Sequence, residues 1–253
     1  MKVLVVSDVH ANIAALNTIL EKEADYDILC CAGDYTDYGI YPTDVIERFR
    51  NLKNAHLVYG NHDLHVINTY ESGEWRTVEE GKYKWVHYNC ERLNDQDIGW
   101  LKQLPETAYF EADGWKYGIA HQYDNGYGII ESRYAFDKYW AEHYGTDNTG
   151  NRRLIFGHTH RQCIHILGDG MEWLNPGSAS YRRPDDPDKT AHYVTITDGE
   201  ICLKQIPYDR KPQLEKAKEF ISTDKMMRTE IQDFMFFFGD AKTSREPLEQ
   251  GTK

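Results

Sequence analysis

The sequence predicts an α/β fold, and two observations support that class. In roughly the first sixty residues, apolar β-branched runs alternate with amphipathic segments, which is typical of parallel strands joined by crossover helices. After residue 107, short apolar runs follow one another with tight turns between them, which indicates a second half rich in β-strands. At 253 residues the chain is long enough for one large domain or two small ones.

The N-terminal elements follow in the order strand, helix, strand, helix, strand. Residues 2–6 are a continuous apolar run, which predicts a strand buried on both faces. Asn12 is positioned to cap a helix whose apolar residues recur at helical spacing. Residues 28–32 predict a second buried strand, and Pro42 opens a second helix. Residues 57–59 predict the third strand.

The third predicted strand runs into the tetrapeptide Gly60-Asn61-His62-Asp63. Taken alone, this tetrapeptide is typical of a polar turn whose Asn and Asp side chains bond their own backbone. Its functional interpretation therefore depends on partners elsewhere in the chain.

The middle and the second half alternate between helical and β-rich patterns. Residues 64–105 predict helices, the last of them capped by Asn94. Asp113-Gly114 predicts a two-residue hairpin turn between the flanking strands, the second of which ends on His121. Later apolar runs predict one further strand and then an antiparallel sheet, at residues 154–156, 163–167, 171–174, 192–197 and 201–206.

Charge and cysteine usage restrict the function classes. The net charge of −12 and the sequence pI of about 5.4 argue against stable nucleic-acid binding. There is no apolar run of about eighteen residues to cross a bilayer, and residues 1–6 are too short for a signal peptide core. The five cysteines include no CxxC pair. We therefore expect a cytoplasmic protein with no membrane contact.

Five predicted strands each end in side chains that can bind a metal ion. Ligands gather at the carboxyl ends of strands in open α/β sheets, because the loops there converge on one crevice. Carboxylate, amide and imidazole ligands without thiolate suit first-row divalent ions. Seven such groups exceed the roughly four to six positions of one ion, which favours two ions that share a carboxylate. The groups are Asp8, His10, Asp34, Asn61, His121, His158 and His160.

These blocks, taken in order, resemble the calcineurin-like metallophosphoesterase superfamily. Tyr38-Gly39 and Asn175-Pro176-Gly177-Ser178 are similar to its small bacterial and archaeal phosphodiesterase branch. The resemblance covers residues 1–206 and implies a four-layer αββα sandwich of two mixed sheets flanked by helices. The sequence departs from this branch at Gln122, where the branch commonly has glycine, and in the long connection up to residue 153. Both departures fall where the resemblance places a substrate pocket.

The resemblance also implies the chemistry of the site. It assigns one divalent ion to Asp8, His10, Asp34 and His160, and the other to Asp34, Asn61, His121 and His158, with Asp34 as the bridge. The metals are Mn, Fe, Ni, Co or Zn, with Mn favoured in vitro. The implied reaction is hydrolysis of a small phosphoester, most often a phosphodiester, by a water that the two ions activate.

Two residues of the tetrapeptide are candidates for catalysis. His62 is placed to protonate the leaving group. Asp63 either orients His62 or satisfies local backbone donors; the sequence leaves both roles open.

Several questions remain open at this stage. The enzyme could be a phosphomonoesterase instead of a phosphodiesterase, or the chain could be a non-catalytic interaction scaffold. Residues 207–253 predict a helical extension that packs on the domain or forms a homo-oligomer contact through its phenylalanines. Tyr123 and Tyr127 could stack on a base or sugar, or simply pack on the surface. Among the histidines outside the blocks, His65 is the one that merits checking as a ligand.

Overall fold

The computed structural model describes residues 1–180, 188–221, 223, 225–239 and 241. The strands are β1 Lys2–Val6, β2 Ile28–Cys31, β3 Ala55–Leu57, β4 Thr107–Ala112, β5 Trp115–Ala120, β6 Asn151–Ile155, β7 Gln162–Gly168, β8 Met171–Pro176, β9 Ala191–Thr197 and β10 Glu200–Ile206. The α-helices are α1 Ile13–Lys22, α2 Pro42–Arg50, α3 Asn61–Ser72, α4 Trp85–Arg92, α5 Asp95–Gln103, α6 Arg133–His143, α7 Lys211–Ile221 and α8 Arg228–Phe237, and Glu74–Arg76 is a short 3₁₀ helix.

The N-terminal strands form a mixed sheet in the order β10-β9-β1-β2-β3. The pairs β1–β2 and β2–β3 are parallel, as the alternation of strands and helices predicts. The expected cap of α1 is confirmed, because Asn12 Oδ1 accepts a hydrogen bond from the backbone amide of Ala15 at 3.2 Å. The third strand ends two residues earlier than predicted, so Val58 to Gly60 form the connection to α3.

The second sheet has the order β4-β5-β6-β8-β7. Its hairpin β4–β5 turns at Asp113 and Gly114, both with positive φ, as the sequence predicts. The prediction of one antiparallel sheet for the later strands is wrong in part. Strands β5, β6 and β8 pair in parallel, and the β9–β10 hairpin joins the first sheet beside β1. Short apolar runs specify strands, but they do not specify which sheet a strand joins.

The two sheets pack face to face, with helices on the outer faces. Alternate residues of β1 point to opposite faces: Val3 and Val5 pack against the second sheet, whereas Leu4 and Val6 pack under the helices of the first. The outer face of the second sheet packs against α6 through Phe136. The predicted four-layer sandwich is therefore confirmed.

A buried carboxylate connects helix α1 to the first sheet. Glu23, at the C-cap of α1, is 2% exposed. It accepts a hydrogen bond from the Tyr193 hydroxyl at 2.8 Å and pairs with Lys2 at 2.7 Å and Lys204 at 2.9 Å. Burial acts to raise the pKa of Glu23, but the bonds from Lys2, Lys204 and Tyr193 outweigh it and lower the pKa. These contacts hold the end of α1 against β1, β9 and β10.

Replacing Glu23 with alanine is expected to destabilise the fold by about 1–3 kcal/mol at neutral pH, because the tyrosine and two lysines lose a shared acceptor. Since the folded-state pKa lies below the unfolded one, this stabilisation is present above the unfolded pKa and is lost as the pH falls through the folded one. Urea unfolding at pH 7 and at pH 3 measures both effects. The exposed Glu21→Ala on the same helix is the control, and equal losses in the two variants would refute the assignment.

Helices α7 and α8 pack on the domain of their own chain. They enclose the indole of Trp85, which lies 4.9 Å from the Phe234 ring and 5.7 Å from the Phe220 ring, centroid to centroid. The Trp85 indole also donates a hydrogen bond to the carbonyl of Glu230 at 3.2 Å. This packing covers the phenylalanine-rich run that the sequence left without a partner. A second subunit on the extension stays a prediction, and residues 242–253 lie outside the described part of the chain.

Candidate metal centre

The carboxyl ends of strands from both sheets meet at one edge of the sandwich, and the predicted metal-binding residues lie in the connections that follow them. Asp8 follows β1, Asp34 follows β2, and His158 follows β6. The backbone there is unusual. Of the seven candidate ligands, five have a positive φ without being glycine: Asp8, His10, Asp34, His158 and His160. Such conformations cost free energy and cluster at functional sites. This edge of the sandwich is therefore a candidate functional site.

One group of ligand atoms comes from Asp8, His10, Asp34 and His160, and all four atoms lie within 4.8 Å of one another. His160 Nε2 lies 3.1 Å from Asp8 Oδ1 and 3.4 Å from His10 Nε2. The other ring nitrogen of His10, Nδ1, lies 3.0 Å from the Thr36 carbonyl. That contact fixes the ring so that Nε2 faces the group, as in metal-binding histidines generally.

A second group centres on the side-chain oxygen of Asn61. His121 Nε2 and His158 Nδ1 both lie 2.9 Å from Asn61 Oδ1. Neighbouring ligands of one octahedral ion with bonds of ~2.1 Å are separated by about 3 Å, which these distances match. His121 Nδ1 lies 2.5 Å from the Ala32 carbonyl, so the backbone orients this imidazole as well.

Asp34 lies between the two groups. Its Oδ2 atom is 3.3 Å from His121 Nε2 and 3.8 Å from His10 Nε2, and among the described residues it is buried without a hydrogen bond. A buried carboxylate oxygen without a donor is costly unless a cation binds it. Its other oxygen, Oδ1, accepts the backbone amide of His62 at 2.9 Å, which fixes the carboxylate. The residues present therefore fit divalent cations that share the Asp34 carboxylate as a ligand.

The electrostatics of the edge also favour cations. Asp8 and Asp34 are fully buried, and each has a histidine ring nitrogen within 3.3 Å of its carboxylate. Burial acts to raise the pKa of Asp34, but the positive charges of the histidines outweigh it and hold the pKa well below its usual range. For His121, burial lowers the pKa, yet the charges of Asp34 and Asp8 overcome it and raise the pKa to about 10. The two carboxylates thus require positive charge beside them, which a protonated histidine or a metal ion provides.

His62 lies beside this edge and contacts a carboxylate that the sequence analysis missed. Its Nδ1 atom lies 2.9 Å from Asp37 Oδ2, and His65 Nδ1 lies 3.4 Å from the same oxygen. Asp37, His62 and His65 form a further group, whose potential ligand atoms lie within 4.8 Å of one another. Burial lowers the pKa of His62, but Asp37 and Asp34 outweigh it and raise the pKa to about 9. The spacing of Asp37, three residues after Asp34, was the only sequence signal for it.

Asp63 contacts backbone donors, which is the second of the two roles left open for it; its assignment as a catalytic candidate stays a prediction. Its carboxylate joins the connection after β2 to the start of α3. It accepts hydrogen bonds at 2.9–3.1 Å from Asp34 N, Tyr35 N, Thr36 N, Thr36 Oγ1 and Gly60 N. Burial and the Asp34 charge raise the pKa of Asp63 to about 7, against the effect of these donors. Asp63 therefore positions the backbone that carries Asp34, and Asp37 takes the contact with His62.

Replacing Asp63 with asparagine is expected to lower the free energy of unfolding by about 3 kcal/mol or more, because one side of the amide would turn an NH₂ group toward buried N–H donors. Urea unfolding in the presence of a chelator measures this loss without a contribution from metal binding. Thr36→Val is the graded control, since it removes one of the five bonds and is expected to cost about 1 kcal/mol. An Asp63→Asn midpoint equal to that of the unmodified protein would contradict this role.

Glycine is required where α3 approaches the connection that carries Asp34. A Cβ atom on Gly60 would lie 2.0 Å from Asp34 Oδ1 and 2.6 Å from Asp34 N. Gly33 has a φ of +93°, and a Cβ there would lie 2.7 Å from Gly60 N. The two glycines therefore let the backbone pass close to the bridging carboxylate.

The facing mixed sheets and the carboxylate–imidazole edge define a metal-binding α/β sandwich. The family model of the calcineurin-like phosphoesterase superfamily domain matches residues 1–199. The protein belongs to this superfamily, which places it among the metal-dependent phosphoester hydrolases.

One curated relative and two solved structures are similar to this chain over most of its length. An uncharacterised protein of Methanocaldococcus jannaschii is 28% identical over 233 residues, which cover 85% of this chain and 90% of that protein. The metallophosphoesterase from Sphaerobacter thermophilus superposes with a TM-score of 0.68 at 21% identity, over 95% of this chain and 100% of the other. A hypothetical protein of Pyrococcus horikoshii gives a TM-score of 0.70 at 17% identity, over 94% of this chain and 98% of the other. At these identities the two structures show a shared fold.

Across the described residues, none of the helices combines the length and the apolar character that crossing a bilayer requires.

Proposed function

We propose that the protein is a dinuclear metal-dependent phosphodiesterase. In this proposal Asp8, His10, Asp34 and His160 hold one divalent ion, and Asp34, Asn61, His121 and His158 hold the other. The observation that carries the proposal is the position of Asp34 Oδ2, which lies buried between two groups of ligand atoms and has no hydrogen bond within the part of the chain that the structure describes. When bound, two divalent ions lower the pKa of a water and neutralise charge on the phosphate oxygens.

His62 is proposed to donate the proton to the leaving oxygen. The Nδ1–H group of His62 donates a hydrogen bond to Asp37 Oδ2 at 2.9 Å. The other ring nitrogen of His62, Nε2, therefore holds the proton that is transferred. The His62 ring lies 5.1 Å from the ring of the candidate ligand His10, centroid to centroid, so this proton is held at the edge of the metal centre. The negative charge of Asp37 also stabilises the protonated ring.

A phosphodiester is proposed ahead of a monoester, because the sequence blocks resemble the phosphodiesterase branch. The test uses the full chain, stripped of metal and reloaded with Mn²⁺, and compares bis(p-nitrophenyl) phosphate with p-nitrophenyl phosphate. We expect a higher kcat/KM for the diester, and loss of activity with a chelator. A higher kcat/KM for the monoester would support phosphomonoesterase activity, and no hydrolysis of either ester with any of the five candidate metals would refute the proposal.

An interaction scaffold is the competing class. A scaffold needs neither the proton donor nor its carboxylate, whereas both His62 and Asp37 are present and in contact here. If Asp34→Asn left the hydrolysis of both esters unchanged, the activity would come from a contaminant, and the scaffold interpretation would be favoured.

A further inference from the structure

An apolar cavity lies directly beside the candidate metal centre. Its volume is about 440 Å³, which falls within the roughly 300–1,000 Å³ typical of small-molecule sites. Its lining includes Gly157, His158 and Asn175, so the cavity begins at the residues that surround one of the two ligand groups. It also includes Gln122, the position at which the sequence departs from the glycine of its branch.

Two pairs of stacked rings line this cavity. The Tyr127 ring stacks on the imidazole of His158, with centroids 4.9 Å apart and planes 17° apart. The His165 ring stacks on the indole of Trp173, with centroids 5.4 Å apart and planes 7° apart. Tyr127 is 67% exposed, so its ring forms an accessible wall next to a candidate metal ligand. Flat aromatic walls of this kind favour a flat apolar ring over a hydrated polar group.

The backbone around Tyr127 is held in place by one side chain. Asp124 Oδ1 accepts the backbone amides of Gly126 at 2.8 Å and Gly128 at 3.2 Å. A Cβ atom on Gly128 would lie 2.0 Å from Asp124 Oδ2, so a larger residue there would displace the carboxylate that binds this turn. The connection thus presents Tyr127 through a defined turn, in the long segment that the sequence analysis associated with a substrate pocket.

We propose that this cavity binds a planar ring of the substrate, so that the enzyme acts on phosphoesters of nucleosides or of similar ring-bearing alcohols. The inference rests on the proposed function, because it assumes that the phosphate binds at the metal centre. In this proposal the planar ring of the substrate stacks on the Tyr127 ring. Tyr127 in turn stacks on the candidate metal ligand His158, so the substrate ring lies beside the phosphate. Tyr127 is then a residue that determines specificity and has no part in the chemical step.

The test measures binding without turnover. Calorimetry with the Mn²⁺-loaded chain compares adenosine 5′-monophosphate with ribose 5-phosphate, which lacks only the base, and includes phenyl phosphate as a third arm. We expect the nucleotide to bind roughly 10- to 100-fold more tightly than ribose 5-phosphate, since stacking on one aromatic side chain is worth about that factor. Phenyl phosphate distinguishes a ring joined directly to the phosphate from one joined through a sugar.

Three variants make the test specific. Tyr127→Ala is expected to remove most of the preference for the nucleotide, and Tyr127→Phe to keep it. Tyr134→Ala, at a tyrosine that is 79% exposed on helix α6, is the matched control and is expected to change nothing. Equal affinity for the nucleotide and ribose 5-phosphate would overturn the inference, as would equal losses in Tyr127→Ala and Tyr134→Ala. If the preference is found but no ester is hydrolysed, the proposed function fails and the cavity assignment stands.

Discussion

Replacing Asp34 with asparagine is expected to reduce the bound metal from two ions per chain to one or fewer, and to lower kcat/KM by on the order of 10³-fold. The substitution preserves the shape of the side chain but removes the negative charge that both ligand groups share. The Oδ1 position can still accept the His62 amide, so the start of α3 is expected to stay in place. Metal analysis after dialysis and steady-state kinetics with a diester measure the two effects.

Asp44→Asn is the control for this experiment, because Asp44 is an exposed carboxylate on helix α2. It is expected to retain both ions and full activity. Two ions per chain in Asp34→Asn would show that Asp34 is not the bridge. A single ion in the unmodified protein under saturating metal would contradict the dinuclear proposal as a whole.

Replacing His62 with alanine is expected to lower kcat by about 10²- to 10⁴-fold while the metal content stays at that of the unmodified protein. The loss should depend on the leaving group. An alkoxide needs the proton in the transition state, whereas p-nitrophenolate leaves without it, so the alkyl ester is expected to show the larger loss. Steady-state kinetics with one diester of each kind measures this difference.

The role of Asp37 can be separated from that of His62 by a double-mutant cycle. If Asp37 acts by holding His62, the variant that combines Asp37→Ala with His62→Ala is expected to be no slower than His62→Ala alone. Losses that multiply would assign Asp37 an independent function. An equal loss for alkyl and aryl esters in His62→Ala would argue against proton donation by His62.

The sequence predicted the gathering of the ligands because their positions depend on simple regularities. Strands β1, β2 and β3 run in parallel, so the residues after them must lie at the same edge of the sheet. The parallel pair β5 and β6 brings His121 and His158 to the matching edge of the second sheet. The continuous apolar run of β1 predicted that both of its faces pack, and the residues on those faces do so.

The sequence did not predict the contact between Asp37 and His62, because it depends on local backbone conformation. Asp37 and Tyr38 both have positive φ values, of 66° and 54°. Propensity rules do not anticipate non-glycine residues in this region, since the conformation is unfavourable and is imposed by the surrounding structure. The sheet that β9 and β10 join was also unpredictable, because it is set by pairing with β1 across nearly the whole chain.

The first turn of helix α3 gives three consecutive residues three different environments. Successive helical residues point about 100° apart, so Asn61 faces the metal centre, His62 faces Asp37, and Asp63 faces the backbone amides after β2. Asp63 carries several bonds on which the folded backbone depends, whereas the ring nitrogen Nδ1 of His62 contacts a side-chain oxygen, Asp37 Oδ2.

The cost of a substitution therefore differs sharply between these neighbours. A change at position 63 is expected to disturb the architecture, whereas a change at position 62 is expected to remove the proposed proton donor and leave the rest of the site intact. A single nucleotide change in the codon for His62 is thus expected to leave a folded chain with its metal-binding residues in place and a much slower hydrolysis, and the surface of such a chain can then be selected for binding alone.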